Sequence, residues 1–268
     1  MEEFSRDKIR IGIHQPGYHR YLGYFYKMYK SDLFISYDTV QYVSREWQNR
    51  QRFYYKGKFK WLSVPVNKGR ELIKDKIIVN PKILIDHWYY IKEIYRRTPY
   101  FDKYSRDLEH IYLKNEWYYL NDICDALTML AKEILGIKTK FFRDSKSGFF
   151  PKGSKKADML ISSVQRAVQV ENYDEVIYLP RNYPIPEDSY LNKKFDGSEL
   201  IEIKKFAASN IKVETYKFVH PIYKQHQNKD QLKFIPNLSV FDLIFNIGPK
   251  SLETLLSGGD DKYIREVG

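Results

Sequence analysis

The sequence predicts an α/β fold: a mostly parallel, Rossmann-like sheet flanked by helices, with an inserted β-hairpin and a helical segment. Three observations carry that prediction. Short apolar runs (Ile9–His14, Leu33–Tyr37, Glu175–Leu179, Val213–Phe218) alternate with segments of helical period, the pattern of βαβ units. Two further runs, Gln51–Tyr55 and Lys60–Pro65, flank the turn Tyr55-Lys56-Gly57-Lys58 and read as a hairpin. No repeat, low-complexity tract or linker divides the 268 residues, so residues 1–268 are expected to form a single α/β domain.

The first strand is Ile9–His14, broken by Pro16 and Gly17. A helix over Tyr21–Tyr29 follows, carrying Phe25, Met28 and Tyr29 on one face. After the strand Leu33–Tyr37 comes a polar turn region, Asp38–Arg50. The apolar run Trp61–Val66 is ended by Pro65, and Lys74–Val79 is read as one more strand. A helical insertion spans about 82–135. Leu84, Trp88, Ile91 and Tyr95 mark its first helix, Pro99 separates the second, and Tyr118–Leu135 is the third, stopped by Gly136. Lys140–Arg143 is a strand, Lys156–Val168 a helix, and Val240–Phe245 and Ser251–Leu256 are the last helices.

Composition narrows the class. Hydrophobic residues make up 43% and charged residues 29%, as in ordinary globular proteins. No apolar run approaches the roughly 20 residues of a membrane span. The segment Met1–Asp7 has no apolar core, which predicts no secretory leader and a cytoplasmic protein. The single cysteine, Cys124, excludes an internal disulfide and is expected to face a helix core. The formal charge of +11 favours anionic partners: a nucleotide-linked sugar or other anionic small molecule, nucleic acid, or an acidic carrier protein.

Polar residues gather in four places. His14 and Gln15 close the first strand, where ligands bind in open α/β sheets. Asp38, Gln41, Asn49 and Arg50 follow the second strand. With parallel neighbours, Asp38 could approach His14 and orient it as a general base. His220, Tyr223 and Gln225 follow the strand Val213–Phe218. Asn237, Asp242 and Asn246 surround the start and core of a late helix, with Asn237 or Ser239 as its cap. The bland alternatives are a turn cap for Asp38 with Arg50 pairing to Glu46 on the surface, a structural role for His220, and core packing for Asp242 and Asn246. Walker A, GxGxxG, HExxH and GxSxG patterns are absent, and histidine spacing suggests no metal site.

Taken together, Gln15-Pro16, Tyr21-Leu22-Gly23-Tyr24-Phe25, Tyr37-Asp38-Thr39-Val40-Gln41-Tyr42 and Trp47-Gln48-Asn49-Arg50 resemble the WbqC-like family. So do Trp61–Val66, Thr98-Pro99-Tyr100-Phe101, His220–Gln225, and Asn237-Leu238-Ser239 with Asp242, Asn246 and Gly248. The chain departs from the family pattern at Tyr178–Tyr183, where a YLSG-like loop is usual, and the divergent 180–199 loop has no assigned role.

The resemblance implies a cytosolic transferase of surface-polysaccharide synthesis that modifies an amino sugar by acyl or aminoacyl transfer. It requires no cofactor beyond the donor, a thioester on an acyl carrier protein or an aminoacyl-tRNA. In that chemistry His14 would be the base, Asp38 its orienter, with His220 as a further catalytic candidate. Gln15, Asn49 and Arg50 would donate to an oxyanion or phosphate. Two other readings stay open. One is a nucleotidyltransferase-like enzyme, which a strand-end histidine beside a helix start would suit. The other is a non-catalytic protein binding glycan or nucleic acid through its tyrosines and basic residues.

Overall fold

The computed structural model describes residues 6–147, 156–168, 173–179, 204–227 and 233–266. The chain runs β1 (Arg6–His14), α1 (Leu22–Tyr29), β2 (Leu33–Ser36), β3 (Arg50–Tyr55) and β4 (Lys58–Ser63). It continues through α2 (Ile83–Tyr95), α3 (Phe101–Leu113), α4 (Leu120–Ile134), β5 (Lys140–Arg143), α5 (Lys156–Val168), β6 (Tyr173–Leu179) and β7 (Ile211–Phe218). Helices α6 (Val240–Ile247) and α7 (Ser251–Leu256) and strand β8 (Gly259–Glu266) complete it.

The main sheet has the order β5-β2-β1-β6-β7-β8, and β3 and β4 form a separate antiparallel pair. Five strands run parallel, as the alternating pattern requires, and β8 closes the edge antiparallel to β7. The chain builds outward from β1 through β2 to β5, then crosses to β6 on the other side. The carboxyl ends of β1 and β6 therefore form a topological switch point, where open α/β sheets bind ligands.

One face of the sheet packs Ile9, Ile11, Ile13 and Ile35 against Leu160, Ile161 and Val164 of α5. On the other face α1 to α4 and α6 share a core that includes Phe25, Phe34, Trp88, Tyr95, Leu127 and Phe245. The helical segment thus packs into the same core as the first and late helices.

Two expectations change. Lys74–Val79 is not a strand: a 3-10 turn occupies Ile73–Asp75, with isolated bridges from Ile77 to Tyr119 and Ile78 to Val66. The cause is Lys76, wholly buried, whose ammonium donates to the Asn67 and Gly69 carbonyls (both 3.0 Å) and pairs with Glu71 at 2.5 Å. The chain wraps around that cation instead of extending. The third insertion helix starts at Leu120 because Tyr118 and Tyr119 spend their backbone on Ile78 and Ile77. Gly136 ends its last turn at φ +70°, as expected of a C-terminal cap. Strand β8, charged along Asp260–Glu266, carried no apolar signal.

Candidate functional site

The sequence at the end of β1 folds into a tight polar turn. Gly17 leaves room for the Arg20 guanidinium, which a Cβ there would meet at 2.4 Å. Arg20 folds back to donate to the carbonyls of Gln15 (2.6 Å) and Pro16 (2.7 Å), and it lies over Tyr24. His14 donates through Nδ1–H to the Gln15 carbonyl at 2.9 Å and meets Tyr24 edge-on. A carbonyl only accepts, so this bond fixes the tautomer and makes Nε2 the basic nitrogen of the neutral ring. The buried Lys27 of α1 donates to the Ile13 carbonyl at 2.7 Å and lies over Tyr178, at the β1–β6 junction.

From this turn a bridge leads to a cavity. Gln48 donates to Gln15 Oε1 at 3.0 Å and accepts from the Val43 amide at 2.9 Å, so it pins the 43–48 loop to the strand end. That loop walls a cavity of about 700 Å³ whose lining includes Gln41, Asn49 and Arg50 together with Arg45, Lys68, Arg70 and the buried Lys76. Asn49 donates to the Val64 carbonyl at 2.8 Å, while its Oδ1 is buried with no hydrogen-bond partner. With Lys76 neutralised by Glu71, the four cations Arg45, Arg50, Lys68 and Arg70 and an unfilled acceptor suit an anionic ligand that also carries a donor, such as an amine or hydroxyl.

Asp38 is not turned toward His14. Its carboxylate accepts from Asn121 (2.9 Å), the Ser145 amide (2.9 Å) and the Ser145 hydroxyl (2.6 Å). The strands are neighbours, and the Tyr37 amide does bond to the His14 carbonyl. The side chain nevertheless points to α4 and the turn after β5. There it joins a network in which Arg143 binds Asp122 and Asp125, each at 2.7 Å. Burial raises the carboxyl of Asp38, and pushes that of Asp125 up to about 6 against the opposing pull of Arg143. The expected His14–Asp38 dyad is replaced by a structural clamp between β2, β5 and α4.

The late residues converge on a different centre. Asp242 is fully buried and accepts from Tyr95 (3.0 Å), Tyr223 (2.7 Å), Gln225 (2.9 Å) and Gln227. Asn246 receives the His226 amide at 2.7 Å and donates to Gln227 at 3.0 Å. Four neutral donors hold a carboxylate whose pKa burial raises. The cluster ties the segment after β7 to α6. His220 repeats the His14 geometry, its Nδ1–H donating to the Pro221 carbonyl at 3.1 Å, and its buried Nε2 has no partner. Burial lowers its pKa. Ser239 caps α6 by accepting from the Phe241 amide, while Asn237 is exposed in a left-handed conformation at φ +60°.

Several residues escaped sequence reasoning. Lys68 and Arg70 flank Gly69 just past the hairpin, a basic turn that could have been read as an anion site. A buried chain of hydrogen bonds gave no periodic signal. Ser239 contacts His19 at 3.1 Å, His19 reaches Tyr112, Tyr112 meets Tyr18 at 2.6 Å, and Tyr18 meets His87 at 2.9 Å. Burial lowers His19 to about 3 and His87 to about 4. Cys124 is buried as expected, its thiol raised by that burial and directed at the Gln48 carbonyl. Among the described residues no cluster of three or more His, Cys, Asp or Glu could hold a metal, and no helix is long and apolar enough to cross a membrane. The divergent 180–199 loop lies outside the described residues.

The profile of the WbqC-like protein family matches residues 15–254. A Mycobacterium tuberculosis protein, described as uncharacterized protein Rv1507c, is 25% identical over 251 residues, covering 92% of this chain and 97% of that protein. No solved structure matches.

Proposed function

Because the chain belongs to the WbqC-like protein family, we propose that it is a transferase acting on an amino sugar linked to a nucleotide, by acyl or aminoacyl transfer, in surface-glycan synthesis. The observation that carries the reading is the cationic cavity with its unpartnered Asn49 Oδ1, tied through Gln48 to Gln15, the chain neighbour of His14. Phosphates would sit among Arg45, Arg50, Lys68 and Arg70. The sugar amine would attack the carbonyl carbon of a thioester or aminoacyl ester, and the bond from that carbon to the leaving sulfur or oxygen would break. His14 Nε2 would take the amine proton and pass it to the leaving group. Asp38, engaged by Asn121 and Ser145, would act on protein stability rather than on His14.

The test is mass spectrometry of an amino-sugar nucleotide incubated with the protein and an acyl thioester or aminoacyl-tRNA. The expected result is a gain of the acyl mass that His14→Ala abolishes. Turnover undiminished in that variant would remove His14 as the base, and no mass gain with either donor would sink the reading.

A second reading is favoured by the strand order. A β5-β2-β1-β6-β7 sheet places its switch point at His14, as in nucleotide-binding folds. Nucleotidyl transfer would release pyrophosphate from a nucleoside triphosphate in a magnesium-dependent reaction.

A further inference from the structure

One face of the β3–β4 hairpin packs at Tyr54 on Ile235 and Leu238 and leaves Phe59 and Trp61 exposed. Residues 47–70 hold seven Lys and Arg side chains and no Asp or Glu, in a chain whose totals are 45 basic and 34 acidic. Strand alternation and the pairing of Arg50 with Ser63, Arg52 with Trp61 and Tyr54 with Phe59 put these six residues on one face. Phe59 and Trp61 are 49% and 41% exposed there, against the usual burial of large aromatics. The Arg50 guanidinium lies 4.3 Å from the Trp61 ring centre and that of Arg52 4.8 Å from Phe59, while Trp47 packs on Trp61 at 5.1 Å. The Nε atoms of Arg50 and Arg52 are both buried without a partner.

We propose that this arginine-aromatic face is a docking surface for single-stranded RNA, continuous with the cationic cavity through Asn49, Arg50 and Ser63. Bases would stack on the exposed rings and guanidinium planes, and the backbone would follow the cations. Phe59 and Trp61 stand two residues apart on β4, about 6.8 Å at 3.4 Å per residue, a separation that lets successive unstacked bases use separate platforms. Charge selects a polymer over a mononucleotide. The cavity's own cations suffice for the phosphates of one nucleotide, and the hairpin adds Arg52 with the exposed Lys56 and Lys58 beyond them. Two flanking acids are committed elsewhere, Glu71 to Lys76 and Glu93 to Tyr55 and Arg96, and the exposed Glu46 stands at the edge of the face beside Trp47.

The proposal rests on the cavity being anion-binding, and its test reads a different variable from turnover. Fluorescence anisotropy would follow a labelled single-stranded RNA 12-mer of mixed sequence on the whole protein, at low and physiological salt. Binding should weaken steeply with salt, with a slope of about −0.7 per phosphate contacted. Trp61→Ala and Phe59→Ala should each weaken it about fivefold to hundredfold, and Arg52→Gln should weaken it and flatten the slope. Tyr118→Ala, which removes an exposed aromatic elsewhere, should leave it unchanged. Circular dichroism melts check that each variant is folded. No binding at low salt, equal binding by Trp61→Ala, or a nucleoside diphosphate binding the Trp61 face as tightly as the 12-mer would each overturn the proposal. Acyl transfer retained by a protein that does not bind RNA sinks this proposal alone, whereas RNA binding without transfer sinks only the transferase reading.

Discussion

Gln15 Oε1 accepts a 3.0 Å hydrogen bond from Gln48 Nε2, and this contact joins the switch point of the sheet to the wall of the cationic cavity. Gln48 is buried, and its Oε1 also holds the Val43 amide. Gln48→Ala should therefore cost about 1 to 2 kcal/mol of stability by leaving that amide and Gln15 without their partner. Amide hydrogen exchange should rise selectively over residues 42–50. Exchange unchanged there, with stability intact, would show that the loop is held by other contacts.

The cavity cations should act together on anions. Arg70 and Lys68 are exposed at its rim and anchor no described core contact. A charge-assisted hydrogen bond is worth about 1.5 to 3 kcal/mol, so Arg70→Ala should weaken binding of a nucleotide-linked sugar about tenfold or more. Calorimetric titration in low salt measures it. The melting temperature without ligand should stay within a degree or two.

Two buried histidines predict acid sensitivity. His19 is held at about 3 and His87 at about 4, below the ordinary 6.5. Between these values and pH 6.5 the unfolded chain binds more protons than the folded one, so stability rises with pH there and is lost as pH falls. At pH 4.5 each histidine should cost about 2 to 3 kcal/mol relative to neutral pH, and His87 less than His19. Urea unfolding at the two pH values checks this. His19→Asn, which tolerates the φ of +53° at that position, should flatten the dependence even if it lowers stability at pH 7.

The Asp242 cluster predicts a large structural effect. Asp242→Ala leaves Tyr95, Tyr223, Gln225 and Gln227 without their common acceptor. The loss should be at least about 3 kcal/mol, with Tyr223→Phe costing about 1 kcal/mol because one donor of four is removed. Denaturant midpoints give both values. A small loss for Asp242→Ala would mean that water replaces the carboxylate, against its full burial.

The sheet strands were legible where apolar runs of strand length alternate with helices. Ile9–Ile13, Phe34–Ile35 and Ile177–Leu179 are buried because both faces of a parallel sheet are covered, and burial writes itself into the sequence as an apolar run. The Gly136 stop was legible from local turn chemistry, which also narrowed the α6 cap to Asn237 or Ser239, and the structure uses Ser239. The wrap around Lys76 was not, because a buried ammonium satisfied by two carbonyls and a carboxylate has no periodic signature. Nor was β8, whose place depends on pairing with β7 far along the chain.

The sequence by itself determined the α/β class, the polar break after β1, the basic acid-free hairpin and the residue types available for chemistry. These follow from local periodicity, turn chemistry and net charge. Which polar residues meet was decided by tertiary structure alone. Gln41, Asn49 and Arg50 line one cavity, Asp38 turns from His14 to Asn121 and Ser145, and Tyr223, Gln225 and Asn246 gather about Asp242. A side chain's partners are fixed by the direction it leaves its backbone and by the elements packed against it, and neither quantity is carried by spacing along the chain.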